Sequence, residues 1–202
     1  MSCDKFRLPS ADTIAEAGRQ FDGDYKVIED ALTDLFAKYP TNTNEAQVLL
    51  KVLTLNELYG AQLPLWDPKR PTVFDVANCI PTLGLDQAFE EGSLEIVNAI
   101  STTQVPGKTR INRFAFATKY ASWHKPNLYP VYDHHVYNYF GCLRKLLRAD
   151  WDQFAEGFKL SSNDWGYPQF YGLMARFRTH YRLEHVSFKQ LDKFLWIHGQ
   201  PQ

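Results

Sequence analysis

The chain has 202 residues, of which 45 % are hydrophobic and 15 % aromatic, and its formal net charge is −1. This length allows one hydrophobic core or two small lobes, and without an apolar run of about 18 residues we expect no membrane span. The first residues lack the apolar stretch of a secretion signal, and Cys3, Cys79 and Cys142 are far apart, so we expect reduced thiols, no metal site and a cytoplasmic protein.

The charge is distributed unevenly along the chain. Residues 1–104 contain 8 Lys and Arg against 16 Asp and Glu, whereas residues 105–148 contain 8 Lys and Arg against Asp133 alone. A local excess of cations favours binding to phosphate groups. Pairing between the basic segment and the acidic first half explains the same pattern, and charge alone does not separate the two interpretations.

In the first half of the chain, capping residues and apolar spacing predict helices with almost no strand-type alternation. Ser10 or Asp12 caps the first helix, and Asn42 or Thr43 caps a broadly apolar helix that Gly60 ends. A loop with three prolines follows at 61–71. The predicted helices of this half cover 10–21, 24–38, 42–60, 72–79, 86–91 and 93–100.

In the second half, a polar turn at 102–109 precedes a helix predicted over 109–123. Asp133 follows Pro130 at or near the N-cap of a helix that reaches Phe140, where a short carboxylate is favoured. Further helices are predicted at 150–158, 167–182 and 188–196. The fold class is therefore all-α. We expect a single domain over 1–202, with possible lobes at 1–104 and 105–202 and a cleft between them.

Lys119 lies on an apolar face of its predicted helix, where its neighbours one turn away are Ala115, Phe116, Ser122 and Trp123. A lysine held against such a face loses hydration, and desolvation favours the neutral, nucleophilic amine. The alternative is a lysine whose stem covers apolar surface while its amine reaches solvent.

Asp133 follows Lys119 by fourteen residues, and a turn joins their two helices. This arrangement suits a single cleft, in which the carboxylate takes a proton from the amine or stabilises a developing cation. A purely structural helix cap explains the aspartate equally well.

The segment 109–136 resembles the catalytic stretch of helix-hairpin-helix DNA glycosylases with the 8-oxoguanine glycosylase fold, and most closely the archaeal type. Phe116-Ala117-Thr118-Lys119 is similar to the helix with the Schiff-base lysine, and Pro130-Val131-Tyr132-Asp133 to the step with the aspartate. The resemblance implies catalysis by Lys119 and Asp133 without a cofactor. It also implies a monomer that acts on double-stranded DNA containing a damaged or modified base.

The activity implied by the resemblance is base excision. The target nucleotide is extruded from the duplex, the lysine attacks C1′ of the sugar, and the imine formed can proceed to strand cleavage as an AP lyase. An oxidised purine such as 8-oxoguanine is the family default. Both DNA repair and defence against modified phage DNA are compatible with this chemistry.

The hairpin departs from the family pattern, because Val105-Pro106-Gly107-Lys108 keeps the Pro-Gly step but lacks the second glycine. In the family this hairpin offers backbone N–H groups to a DNA phosphate. Here we expect cationic side chains to make these contacts instead. In the eukaryotic type the lysine lies within the hairpin, so Lys108 is an alternative nucleophile. Lys119 is preferred because Lys108 is expected to be exposed and protonated. The expected DNA contacts are Lys108, Arg110, Arg113, His134 and His135.

Four aromatic residues are candidates for a base pocket, namely Trp123, Tyr129, Trp165 and Tyr167. Each is also compatible with ordinary core packing. The sequence leaves two other functions open. One is a non-catalytic helical module that binds nucleic acid or protein. The other is an interaction protein whose basic segment docks on its own acidic half.

Overall fold

The computed structural model describes residues 3–160 and 165–200, and the regular secondary structure of these residues is entirely helical. The predicted all-α class is confirmed. The α-helices are α1 (Ala11–Lys38), α2 (Glu45–Leu58), α3 (Val73–Cys79), α4 (Leu85–Glu90), α5 (Glu95–Thr102), α6 (Phe114–His124), α7 (His134–Leu146), α8 (Arg148–Phe154), α9 (Tyr167–His180) and α10 (Phe188–His198). A 3-10 turn, Ile80–Leu83, connects α3 to α4.

Several predicted helix boundaries are wrong: Asn44 caps α2 rather than Asn42 or Thr43, and α8 ends at Phe154 rather than at residue 158. The helices expected at 10–21 and 24–38 are one continuous helix, because Gly18 and Gly23 lower helix propensity without removing a hydrogen bond. The helix that carries Lys119 begins at Phe114 rather than at residue 109. In the preceding segment the backbone N–H groups of Thr109 and Arg113 donate to Lys69 O and Ser101 O, and these long-range bonds replace helical ones.

Contacts divide the chain into two compact units, and their boundary differs from the expected one near residue 104. The first unit comprises Met1–Lys26 and Pro126–Gln202, and the second comprises Val27–Lys125. The difference arises because the start of the chain packs with helices from its end, a long-range association that composition does not show.

In the first unit, α7 packs against α8 and α10, and α8 packs against α9. Its core is aromatic, with the ring centroids of Phe140 and Phe177 5.3 Å apart and those of Tyr139 and Phe194 5.5 Å apart. Edge-to-face contacts of this kind stabilise a core beyond the burial of apolar area.

A disulfide between Cys3 and Cys142 attaches the start of the chain to α7 in the first unit. The expectation of three reduced thiols is therefore wrong for this pair, and Cys79 is the free cysteine. A separation of 139 residues gives no spacing signal, because tertiary packing alone brings the two Cα atoms to 5.6 Å. Cysteine usage consequently no longer supports a reducing compartment.

In the second unit, α2 packs against α3 and α6, and α5 packs against α6. Val48, Val52 and Leu55 of α2 are fully buried, as expected for a central helix. Within the described ranges, no helix combines the length and the apolar character that crossing a bilayer requires.

Candidate functional site

Lys119 is buried in the second unit, with 6 % of its surface exposed. Phe116, Ala117, Tyr120 and Ala121 of the same helix are also buried, so α6 is enclosed around the lysine. The expected burial of this side chain is confirmed.

The Lys119 amine contacts the end of α2. Its Nζ donates a hydrogen bond to the carbonyl oxygen of Tyr59 at 3.0 Å and lies 5.7 Å from the centroid of the Tyr59 ring. Tyr59 is the C-cap of α2, where the helix dipole places partial negative charge. This acceptor holds the amine at a fixed position against an aromatic face.

Asp133 is the N-cap of α7, as predicted, and belongs to the first unit. Its backbone is extended, and its Oδ1 accepts hydrogen bonds from the N–H groups of His135 at 2.9 Å and Val136 at 3.1 Å. The residue is 8 % exposed. The carboxylate is thus fixed in direction by the first turn of the helix that it caps.

The hairpin lysine, Lys108, is not the exposed side chain that we expected. Only 20 % of its side chain is exposed, its Nζ donates to Asp67 O at 2.6 Å, and it lies 3.8 Å from Asp75 Oδ2. Asp67 belongs to the loop 61–71 and Asp75 to α3, so this arrangement depends on tertiary packing. The Lys108 amine is therefore held by one hydrogen bond and lies near one carboxylate.

Two arginines follow in the same segment and differ in environment. Arg110 is exposed, whereas Arg113 is 7 % exposed and donates from Nη2 to Thr103 O. Nε and Nη1 of Arg113 have no hydrogen-bond partner in the part of the chain that the structure describes. Burial lowers the pKa of Arg113. Of these two predicted DNA contacts, Arg110 is the accessible one.

The two histidines after Asp133 face different surroundings. His134 is exposed, and His135 is half-buried with its ring centroid 5.0 Å from that of Trp196. Across residues 3–160 and 165–200, no group of three or more His, Cys, Asp or Glu side chains is arranged to hold a metal ion.

The four aromatic candidates for a base pocket are divided between the two units. Trp123 is half-buried in the second unit, near Phe36 and Tyr59. Tyr129 and Tyr167 lie in the first unit with no exposed surface, and the Tyr167 hydroxyl donates to Pro130 O at 3.0 Å.

Trp165 also lies in the first unit and stacks on Phe170 with ring centroids 5.7 Å apart. Burial raises the pKa of Tyr129 to about 12, consistent with a phenol enclosed by the core. The three aromatic residues of the first unit therefore take part in core packing.

A cavity of about 320 Å³ opens at the start of α6, within the second unit. Its lining includes Gln62, Arg70, Asn112, Phe114 and Phe116. Gln62 has a φ of 60°, a left-handed conformation that is uncommon for residues other than glycine and asparagine. The lining combines aromatic rings, two amides and the guanidinium groups of Arg70 and Arg113, a mixture typical of a small-molecule or base pocket.

Sequence reasoning missed a second buried lysine, Lys51 of α2, which has no exposed surface. Its Nζ donates to Tyr39 O at 3.2 Å, to Thr41 O at 2.9 Å and to Asn42 Oδ1 at 2.8 Å. His124 Nε2 lies 3.3 Å from the same amine. The signal was present in the sequence, because Lys51 lies on a face that carries Val48 and Leu55.

The Lys51 network fixes the segment between α1 and α2. Asn42 Oδ1 also accepts from the Tyr120 hydroxyl at 2.5 Å, and Asn42 donates from its backbone N–H and its Nδ2 to Asp86. Burial and the nearby Lys51 charge lower the pKa of His124 to about 3, so its imidazole is neutral. The three oxygen acceptors that surround the Lys51 amine indicate a structural role for this side chain.

The buried Lys51 is expected to make stability depend on pH. Burial lowers its folded-state pKa to about 8, partly offset by Asp86, from 10.5 in the unfolded chain. Between these values the unfolded state binds more protons, so stability rises with pH, by at most about 1.4 kcal/mol per pH unit. Urea unfolding from a pH of about 7 to about 10 should show this rise in the wild type, and Lys51→Met should lack it. If the free energy of unfolding rose equally with pH in the two proteins, the rise would not come from Lys51.

Comparison with known proteins gives the chain a family. A protein-family model named HI_0787_N, described as an N-terminal domain, matches residues 12–128, more than half of the chain. The chain belongs to the HI_0787_N family. An uncharacterized protein of Haemophilus influenzae is 28 % identical over 116 residues, which are 57 % of this chain and 51 % of the relative. The chain thus spans about half the length of this curated relative. No solved structure matches this chain.

The HI_0787_N match covers α1 to α6 and ends before α7. Lys119, Lys51 and the cavity at the start of α6 all lie within the matched residues, whereas Asp133 lies outside them. The matched region therefore contains the entire second unit and the buried lysine on which the proposed chemistry depends.

Proposed function

We propose that this protein is a DNA glycosylase that excises a damaged or modified base with Lys119 as the nucleophile and Asp133 as its assisting carboxylate. The observation that carries the proposal is the burial of the Lys119 amine in an apolar helix. This is the position at which the resemblance to the 8-oxoguanine glycosylase fold places a Schiff-base lysine. The proposed partner is double-stranded DNA, which the protein binds as a monomer and without a cofactor.

In the proposed reaction, the Lys119 amine attacks C1′ of an extruded nucleotide through the lone pair of its nitrogen. The bond between C1′ and the base breaks, and the base leaves with the bonding electron pair and takes up a proton. The C1′–O4′ bond then breaks and O4′ takes up a proton, while the nitrogen releases its two protons and forms the C1′=N bond of an imine between Lys119 and the sugar. Asp133 stabilises positive charge on the sugar while the base departs. Elimination from the imine then gives AP lyase activity.

An extruded base needs a pocket that separates it from water. The cavity of about 320 Å³ at the start of α6 offers room for a purine and carries both aromatic and amide groups. These groups suit stacking and recognition of base edges. A damaged base in DNA repair and a modified base of phage DNA in defence both fit this chemistry.

The test is covalent trapping by the wild-type protein. Duplexes that each carry one lesion, including 8-oxoguanine and an abasic site, are incubated with the protein and sodium borohydride, which reduces an imine to a stable amine. We expect a protein–DNA adduct, seen by gel mobility and by mass, and none with an unmodified duplex. Failure to trap an adduct with any lesion would contradict the proposal.

A second candidate is a non-catalytic nucleic-acid-binding module on the same scaffold. The observation that favours it is the geometry of Asp133, whose Oδ1 already accepts two backbone hydrogen bonds, as a structural cap does. This candidate predicts DNA binding that weakens steeply with salt, together with no adduct and no released base.

A further inference from the structure

An exposed tryptophan lies in the second unit, in the loop between α2 and α3. Trp66 is 82 % exposed, and the neighbouring Leu65 is 55 % exposed. The other tryptophans, all of them among the described residues, are buried or half-buried. Leaving a large apolar ring in water costs free energy, so an aromatic side chain of this kind is typical of a contact site.

Hydrogen bonds fix the backbone on both sides of Trp66. The buried Asn56 accepts from the Leu63 N–H at 2.7 Å and donates to Leu63 O at 3.1 Å. Asp67 Oδ1 accepts from the N–H groups of Lys69 and Arg70, each at 2.8 Å. The ring is thus presented by an ordered loop, so a partner that binds it loses little affinity to ordering of the protein.

The same loop is joined to the basic segment before α6. The Thr109 N–H donates to Lys69 O at 2.6 Å, and Lys108 Nζ donates to Asp67 O at 2.6 Å. Lys108 also lies 3.8 Å from the Asp75 carboxylate. These contacts bring the cations of two separate segments to one surface of the second unit.

The electrostatics of this surface favour an anionic partner. Asp67 is paired with Arg70 at 2.7 Å, and 57 % of the Arg70 side chain is exposed. Lys69 and Arg110 are exposed as well. Trp66 therefore shares its loop with the exposed Lys69 and Arg70, whereas the central aromatic anchor of a protein interface is usually surrounded by apolar neighbours. An aromatic ring next to cations suits a nucleic-acid strand, with bases for stacking and phosphates for charge.

We propose that Trp66 stacks on an accessible base of DNA whose backbone phosphates contact Lys69, Arg70 and Arg110. This inference rests on the proposed function for the identity of the polymer and adds the surface that binds it. The stacking partner is a base exposed by a gap or a missing neighbour, because the bases of an intact duplex already stack on each other.

The experiment measures the affinity of four proteins for a labelled duplex with one abasic position and for the fully paired duplex. The proteins are the wild type, Trp66→Ala, Trp66→Phe and the control Val27→Ala, which changes a side chain of equal 82 % exposure on α1. Trp66→Ala should bind the abasic duplex about tenfold more weakly. Trp66→Phe should retain most of the affinity, and Val27→Ala should bind like the wild type. DNA should quench tryptophan fluorescence in the wild type, and Trp66→Ala should lose this quenching.

Several outcomes would overturn the inference. One is an affinity for DNA that is equal in Trp66→Ala and the wild type. Another is self-association that depends on Trp66, because the surface would then bind a second copy of the chain. If Trp66→Ala binds DNA with unchanged affinity and still forms the adduct, this inference is removed and the proposed function stands. Binding that depends on Trp66, with no adduct from the wild type on any lesion, supports the surface and removes the proposed function. A wild type that does not bind DNA removes both.

Discussion

Replacing Lys119 by glutamine is expected to abolish the borohydride-trapped adduct and to slow base release by about a thousandfold or more. The amide has a similar length and can donate to Tyr59 O, but it cannot attack C1′ or form an imine. Loss of the amine donor should cost only about 1 kcal/mol of stability, because the hydrogen bond to Tyr59 O is made to a neutral carbonyl. The measurements are single-turnover release of the base and adduct yield.

The matched control is Lys108→Gln, which removes the alternative nucleophile in the same unit. We expect this variant to form the adduct, with weaker DNA binding and a shallower salt dependence. The Lys108 amine donates to Asp67 O and lies near the Asp75 carboxylate, so its side chain is already engaged by other groups of the protein. An adduct that survives Lys119→Gln and disappears in Lys108→Gln would transfer the catalytic role to Lys108.

Gly199→Ala is expected to destabilise the first unit by about 3 kcal/mol or more. A Cβ at this position would lie 2.0 Å from His135 O and 2.7 Å from Leu195 O, and both are backbone atoms. Backbone in two helices cannot yield as a flexible side chain can, so α7 or α10 must shift. Urea unfolding measures the loss.

The control for Gly199→Ala is Gly18→Ala in α1 of the same unit. No heavy atom lies within 4 Å of a Cβ added at Gly18, and alanine favours the helix, so stability should rise by about 0.5–1 kcal/mol. Because Gly199 touches the first turn of α7, its substitution should also disturb the backbone N–H groups that donate hydrogen bonds to Asp133. A Gly199→Ala protein as stable as the wild type would show that the close approach is not maintained in solution.

Local features of the sequence were sufficient to predict several parts of the structure. Apolar spacing predicted the all-α class, and the step from Pro130 to Asp133 predicted the N-cap of α7. These depend on interactions among residues a few positions apart, so they can be read without knowing the fold. The burial of Lys119 followed in the same way from its neighbours on one helix face.

Long-range packing decided the features of the structure that the sequence left open or that we predicted wrongly. The disulfide of Cys3 with Cys142 and the approach of Gly199 to His135 join residues far apart in the chain, and no local pattern encodes such pairs. The start of α6 was misplaced because backbone bonds from Thr109 and Arg113 go to distant carbonyls.

The two buried lysines show most clearly where reading of the sequence stops. Lys51 and Lys119 both lie on apolar helix faces, and the local pattern treats them alike. By itself the sequence placed each lysine on an apolar helix face and left open whether its amine reaches solvent. Only the tertiary structure decided that Lys51 is enclosed among Tyr39, Thr41 and Asn42, whereas Lys119 meets the carbonyl at the end of α2. The reason is physical, because desolvation follows from neighbours on the same helix, while the polar partners of a buried amine come from other elements.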